Sequence, residues 1–300
     1  MKIDKIIFPC SETFSGFWNI QAKVWKTKLG IHPVCLLYGD KKKCGLSEEY
    51  GDVIEIEFLP NLPKILQVQF SRFWFPSLES ETTSLIGDID LIPLQSEYFT
   101  NGLEAIPDNS YCHLNYSIIG REMGLNPGSY FSNGTLMMKN GGYDLPGHYH
   151  CAKGKVFKEL FFKDFSTYES FLLYIIELKK YEDIRSNDPP ESRVIRENHW
   201  MAEEHYTSDM LWEHFSPRKF DGFFVKEYRA QFQRLEAKYQ HAYNKTWYPD
   251  VWDGINFIHN GDKRCPNRLK EKALVEIHCP LPYEKYESAM IRLLTEAEMY

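Results

Sequence analysis

No Cys-x-x-Cys pair occurs anywhere in these 300 residues. The seven cysteines, Cys10, Cys35, Cys44, Cys112, Cys151, Cys265 and Cys279, are odd in number and widely spread. That spacing excludes a disulfide framework or a zinc knuckle and predicts reduced thiols in a cytosol-like compartment. No Gly-x-Gly-x-x-Gly follows the first strand-like run, and no Gly-x-x-x-x-Gly-Lys-Ser/Thr occurs at all. A dinucleotide fingerprint and a P-loop are therefore both missing. No apolar run reaches the ~18 residues that a membrane span needs. The run before Pro9 in "MKIDKIIFPC" is too brief for a signal peptide or an anchor, and no internal repeat is visible. Positive charge is also short: 35 Lys and Arg stand against 42 Asp and Glu, a net −7 at pH 7, with a pI near 5.8. Such a balance argues against a general grip on nucleic acid. The expectation is a cytoplasmic protein with no membrane span and no nucleic-acid partner, whose sequons at Asn115, Asn133 and Asn244 stay unglycosylated.

What is abundant is core material. A hydrophobic share of 43% with 15% aromatic residues supports a large folded unit, read here as one domain over residues 1–300. The first third alternates strand-like and helix-like patterns. "KIIFPC" reads as a strand ended by Pro9. "FSGFWNIQAKVWKTKLG" places Phe17, Ile20, Val24 and Trp25 on one helical face before Gly30 stops it. "HPVCLLYGD" and "DVIEIEFLP" read as further strands, "LPKILQVQFSRFWFPSL" as a helix ended by Pro76, and "SLIGDID" as another strand. Strands separated by helices predict an α/β fold with a Rossmann-like, mostly parallel central sheet and helices on both faces. Ligands of such sheets bind beyond the carboxyl ends of the strands.

That edge collects the chemistry. It receives Pro9 and Ser11 from the end of the first strand, Asp40 after the second, and Asp88 with Asp90 in "LIGDIDLIPL" after a later one. Two carboxylates one residue apart repel each other unless something positive sits between them, and a divalent cation is one answer. Arg72, on the preceding helix, adds a fixed positive charge near a pyrophosphate, pairs with an Asp-x-Asp carboxylate, or makes a surface salt bridge. His148 and His150 read as part of a loop after Pro146, where core filling explains histidines poorly. Lys153 stands at the entrance of the next helix, a place suited to phosphate or sugar contacts. In "ENHWMAEEHYTSDMLWEHF", Glu203, Glu204 and Asp209 lie along one side of a helix whose aromatic residues pack inward; a solvated acidic face is the other reading. "RSNDPPESR", residues 185–193, reads as a loop able to cover a site.

Together these segments resemble the GT-A glycosyltransferases, and most closely the small glycosyltransferases of large algal viruses and their relatives. "VWKTKLGIHPVCLLYGD", "SRFWFPSL", "LIGDIDLIPL" and "GHYHCAKGKVF" carry the likeness, over residues 5 to about 160. The resemblance implies a nucleotide-binding half at residues 1–110 and a mixed half at 111–300 for donor sugar and acceptor. It implies Mn²⁺ or Mg²⁺ on Asp88 and Asp90, bridging the diphosphate of a nucleotide sugar, a UDP-sugar first. Asp40 would then lie by the uracil or ribose. Asn133 and Gly134, in "YFSNGTLMM", match a turn near the donor sugar. An acid from a helix start, Glu203 or Glu204 with Asp209 behind them, would take the acceptor proton; such a base implies inversion, while the sequence leaves inversion and retention open. His259 and Lys263, in "IHNGDKR", loosely resemble a run that closes the metal site with a histidine and holds the diphosphate with cations. Trp247, Tyr248 and Trp252 suit stacking on acceptor sugar faces. A glycan or glycoprotein-linked acceptor follows, in a host cytoplasm if the protein is viral. Two further classes stay open: a divalent-metal phosphohydrolase or nucleotidyltransferase, and a noncatalytic glycan-binding module. The first strand has no Asp-x-Asp-x-Thr, which weakens the phosphatase version.

Overall fold

A computed structural model of the chain describes residues 1–94, 96–100, 103, 108, 110–113, 147, 149–178, 202–204, 206–211, 276–278 and 283–300. Its spine is β1 (Lys5–Ser11), β2 (His32–Tyr38), β3 (Asp52–Glu55), β4 (Thr83–Ile86), β6 (Cys112–His113) and β7 (His150–Lys153), in the order β3-β2-β1-β4-β7-β6. The first four run parallel, and β7 and β6 are added antiparallel. A separate ribbon pairs β5 (Leu91–Pro93) with β8 (Glu276–His278). The fold is α/β, with a mostly parallel central sheet covered on both faces.

Alternation along β1 explains the two faces. Ile6, Phe8 and Cys10 enter one core and Ile7 enters the other, since successive strand side chains point oppositely. The first face is roofed by α1 (Trp18–Val24) and by a late helix, Tyr283–Glu296, whose Tyr283, Tyr286 and Met290 share a core with Trp18 and Trp25. The second is roofed by α2 (Lys64–Ser77), by residues 154–162, and by the helix Tyr168–Leu178. Phe8 and Trp25 are wholly buried, and full burial of one large apolar side chain contributes about 1.5–3 kcal/mol.

Two expected boundaries shift, each for a local reason. β1 does not stop at Pro9 but runs to Ser11, paired with β2 throughout. The Ile7 carbonyl accepts from Gly87 N–H at 2.9 Å, so the odd residues of β1 turn their backbone groups toward β4. β4 leaves the ladder at Ile86, and Pro9 has no N–H left to satisfy on that side. α2 likewise carries Pro76 inside its last turn and ends at Ser77. The first helix begins as a 3₁₀ turn, Glu12–Phe17, and finishes as a wide π turn, Trp25–Leu29, closed by Gly30 at φ 69°. Among the described residues no helix is long and apolar enough to cross a membrane.

Candidate functional site

The chain order places β2 and β4 on opposite sides of β1, so the connections leave the carboxyl ends of β1 and β4 in opposite directions. A crevice at such a divergence is where open α/β sheets bind ligands. Pro9 and Ser11 lie toward the carboxyl end of β1, Asp40 follows β2, and Asp88 and Asp90 follow β4. Asp40 is exposed and its Oδ1 caps its own turn, accepting from the Lys43 N–H at 2.9 Å.

Asp88 and Asp90 lie beyond the strand expected over "SLIGDID", because β4 ends at Ile86. They occupy a turn just past β4, closed by Leu91 N–H to the Asp88 carbonyl at 3.1 Å. Asp88 is 32% exposed, and the positive charge beside it is Arg72 of α2. Arg72 is 7% exposed and donates through Nη1 to Asp88 and through Nη2 to Glu203, which is 1% exposed. Of the three readings open for Arg72, pairing with an Asp-x-Asp carboxylate is the one observed.

Glu203 comes from helical residues 202–204 and 206–211, which several contacts seat on the sheet's second face. Tyr206 Oη donates to the Phe161 carbonyl at 2.7 Å, and the Tyr206 ring lies 5.3 Å from that of Phe171. Gly147 fills the gap beside the ion pair. A Cβ there would stand 2.5 Å from Glu203 Oε1 and crowd Arg72 Nη2, so any side chain at this position would have to displace the pair. Its N–H donates to Glu204 Oε1 at 3.1 Å.

Burial pushes the Glu203 carboxyl up to about 8, against the pull of Arg72 and helped by the charges of Glu204 and Asp88. Burial also works against the Arg72 charge, but Glu203, Asp88 and Glu204 outweigh it and hold the guanidinium protonated. A neutral Glu203 still accepts from Arg72 through a carboxyl oxygen. Two atoms of this pair, Arg72 Nε and Glu203 Oε1, are buried without a hydrogen-bond partner among the described residues. Orphaned polar atoms in such a place cost stability.

The donor set at the turn fits a hard divalent cation, because carboxylate oxygens are what Mg²⁺ and Mn²⁺ select. Among the described residues no group of three or more His, Cys, Asp or Glu side chains gathers as a cage. Of the described residues, Asp88 and Asp90 are the ones that could hold such a cation.

The remaining candidates separate. His150 is on β7 rather than in a loop; it is fully buried, with Nδ1 against Tyr111 Oη and its ring 5.0 Å from Phe73. Lys153 pairs with Thr83 at the amino end of β4, the far end of the strand from Asp88, and faces Glu81 at 3.4 Å and Asp108 at 3.5 Å. Asp209 is half-buried on the same helical stretch as Glu203. Asn133, Gly134, His148, His259, Lys263, the aromatic residues Trp247, Tyr248 and Trp252, and the 185–193 loop lie outside the described residues.

One contributor escaped the sequence reading. Gln21 is fully buried and donates through Nε2 to the Ile89 carbonyl at 2.9 Å and the Leu91 carbonyl at 2.7 Å, while Oε1 accepts from Trp25 Nε1 at 2.9 Å. Its signal was a polar amide four residues from both Phe17 and Trp25, on the apolar stripe.

No family model and no curated protein matches this chain. Among solved structures, the galactosyltransferase LgtC in complex with donor and acceptor sugar analogues is 15% identical. The match covers 56% of this chain and 69% of that one, with a TM-score of 0.35. An active-site mutant of LgtC gives 15% identity, 56% and 68% coverage, and a TM-score of 0.34. The apo-form glycosyltransferase GlyE of Streptococcus pneumoniae TIGR4 is 14% identical with a TM-score of 0.36; the match covers 78% of this chain and only half, 50%, of GlyE.

Proposed function

We propose that this protein is a metal-dependent glycosyltransferase of the GT-A type, moving a sugar from a nucleotide sugar, a UDP-sugar first, to a hydroxyl of a glycan acceptor. One observation carries the reading: two carboxylates in the turn after β4, beside the β1/β4 crevice, with Asp88 tied to the buried Arg72–Glu203 pair. Asp88 and Asp90 would hold Mn²⁺ or Mg²⁺. When bound, the cation supplies positive charge against the diphosphate as it leaves.

The chain's own residues take the other parts. Arg72 fixes the rotamer of Asp88 and keeps a permanent positive charge at the edge of the crevice. The acceptor oxygen attacks the anomeric carbon, the bond from that carbon to the diphosphate oxygen breaks, and its electron pair leaves with UDP. The acceptor proton must go to a base. Glu203 has one oxygen on Arg72 and is shut away from solvent, whereas Glu204 is only half-buried. We therefore assign the base to Glu204 and the support of Arg72 to Glu203.

Incubation with a panel of UDP-sugars, Mn²⁺ and oligosaccharide acceptors, read as UDP release, tests this. UDP released with a lengthened glycan is the expected result. Free phosphate or pyrophosphate from nucleotides would instead assign a phosphohydrolase or nucleotidyltransferase, and glycan binding without turnover would assign a binding module.

A further inference from the structure

The two aspartates share a single turn, and that turn is held by a residue far from either carboxylate. Gln21 spends both amide hydrogens on its backbone, at the carbonyls of Ile89 and Leu91, 2.9 and 2.7 Å away. Ile89 is the residue between Asp88 and Asp90, and Leu91 closes the turn. The orientation of the amide is fixed by chemistry. Trp25 Nε1 can only donate, so the atom facing it at 2.9 Å must be the amide oxygen, which turns the nitrogen toward the carbonyls. Trp25 in turn is locked in the core against Phe99, ring centroids 4.9 Å apart, and Phe8, at 6.2 Å. Gln21 thus has all three of these hydrogen-bonding positions filled inside an apolar cluster, where each is strong and directional.

We propose that Gln21, oriented by Trp25, is a positioning residue for the cation: it sets the backbone of residues 88–91 so that both carboxylates converge on one ion. The inference rests on the glycosyltransferase reading for the presence of the cation, but its logic is local. Two short side chains on one turn address a common point only for a narrow range of backbone angles. Residues that orient ligands from behind typically carry about 10–100-fold in metal affinity.

The test is a Mn²⁺ titration of the whole chain, following free Mn²⁺ by its electron paramagnetic resonance signal, with and without UDP. Gln21→Met keeps length and apolar volume but leaves both carbonyls without their donor. Trp25→Phe keeps an aromatic ring in the core and removes the N–H that anchors Gln21 Oε1, leaving the side chain held by its two carbonyl contacts alone. The expected result is a half-saturating Mn²⁺ concentration raised by about tenfold or more in each variant that folds, with circular dichroism unchanged. Should Gln21→Met fail to fold, Trp25→Phe decides alone. A folded variant that binds Mn²⁺ as tightly as the wild type overturns the proposal while leaving the glycosyltransferase reading standing. A wild-type chain that binds no Mn²⁺, with or without UDP, removes that reading and this inference together.

Discussion

Arg72 and Glu203, 131 residues apart in the sequence, meet in a hydrogen-bonded contact almost wholly out of solvent. Below about pH 8 the glutamate keeps its proton, so removing Arg72 leaves a buried neutral carboxyl without its donor, which costs about 1–3 kcal/mol. Arg72→Met should therefore lower the urea midpoint sharply. Arg72→Met combined with Glu203→Gln should cost less than the sum of the two single changes, since each single change already disturbs the same contact. Additive effects of the two single substitutions in a double-mutant cycle would mean that the pair carries no coupling.

The raised carboxyl of Glu203 links stability to pH. Its proton is held in the folded chain up to about 8 but is released near its ordinary 4.5 once unfolded. Between these values the folded state binds more protons, so this group makes stability fall as pH rises; below the window both states are protonated and the contribution is flat. Urea midpoints taken from pH 5 to pH 8 should decline more steeply in the wild type than in Glu203→Gln. Parallel slopes would show that Glu203 titrates normally.

Much of this architecture was legible in advance. The continuous apolar runs of β1 and β2 set the strands, and the order of strands and helices implied a parallel sheet whose carboxyl edge carries Asp40, Asp88 and Asp90. The parts that escaped depend on partners remote in sequence. His150 read as a loop residue because nothing local reveals that Phe73 and Tyr111 enclose it. Lys153 was placed correctly before a helix, yet strand pairing with Thr83 puts it at the wrong end of β4 for the crevice. Glu203 and Glu204 were indistinguishable as neighbours in sequence; the fold separates them, giving one to Arg72 and the other to the Gly147 backbone.

Nucleotide and metal should bind as one unit. If the diphosphate is held largely through the cation, UDP should raise the melting temperature strongly only when Mn²⁺ or Mg²⁺ is present. Asp90→Asn removes charge without removing volume, and should weaken the metal-dependent shift while leaving the unliganded melting temperature nearly unchanged. Equal stabilisation by UDP in excess EDTA would sink the metal bridge.

The division of labour between Glu203 and Glu204 is the sharpest consequence of the geometry, because the two differ by one position and have opposite assignments. General base catalysis contributes about 10²–10⁴-fold, so Glu204→Gln should lower the transfer rate by about a hundredfold or more while UDP affinity stays near that of the wild type. The amide keeps an oxygen that can accept the Gly147 N–H, so the fold should survive the change. Glu203→Gln retains an acceptor for Arg72 and the same volume. Its main effect should be on the pH dependence of stability, with a smaller loss of rate arising through the placement of Asp88. Rates measured at saturating donor, paired with UDP titrations, separate the cases. If Glu203→Gln proves the more damaging to rate at unchanged UDP affinity, the base is Glu203. If instead both substitutions weaken UDP binding in step with rate, the pair belongs to the donor site and the base lies elsewhere.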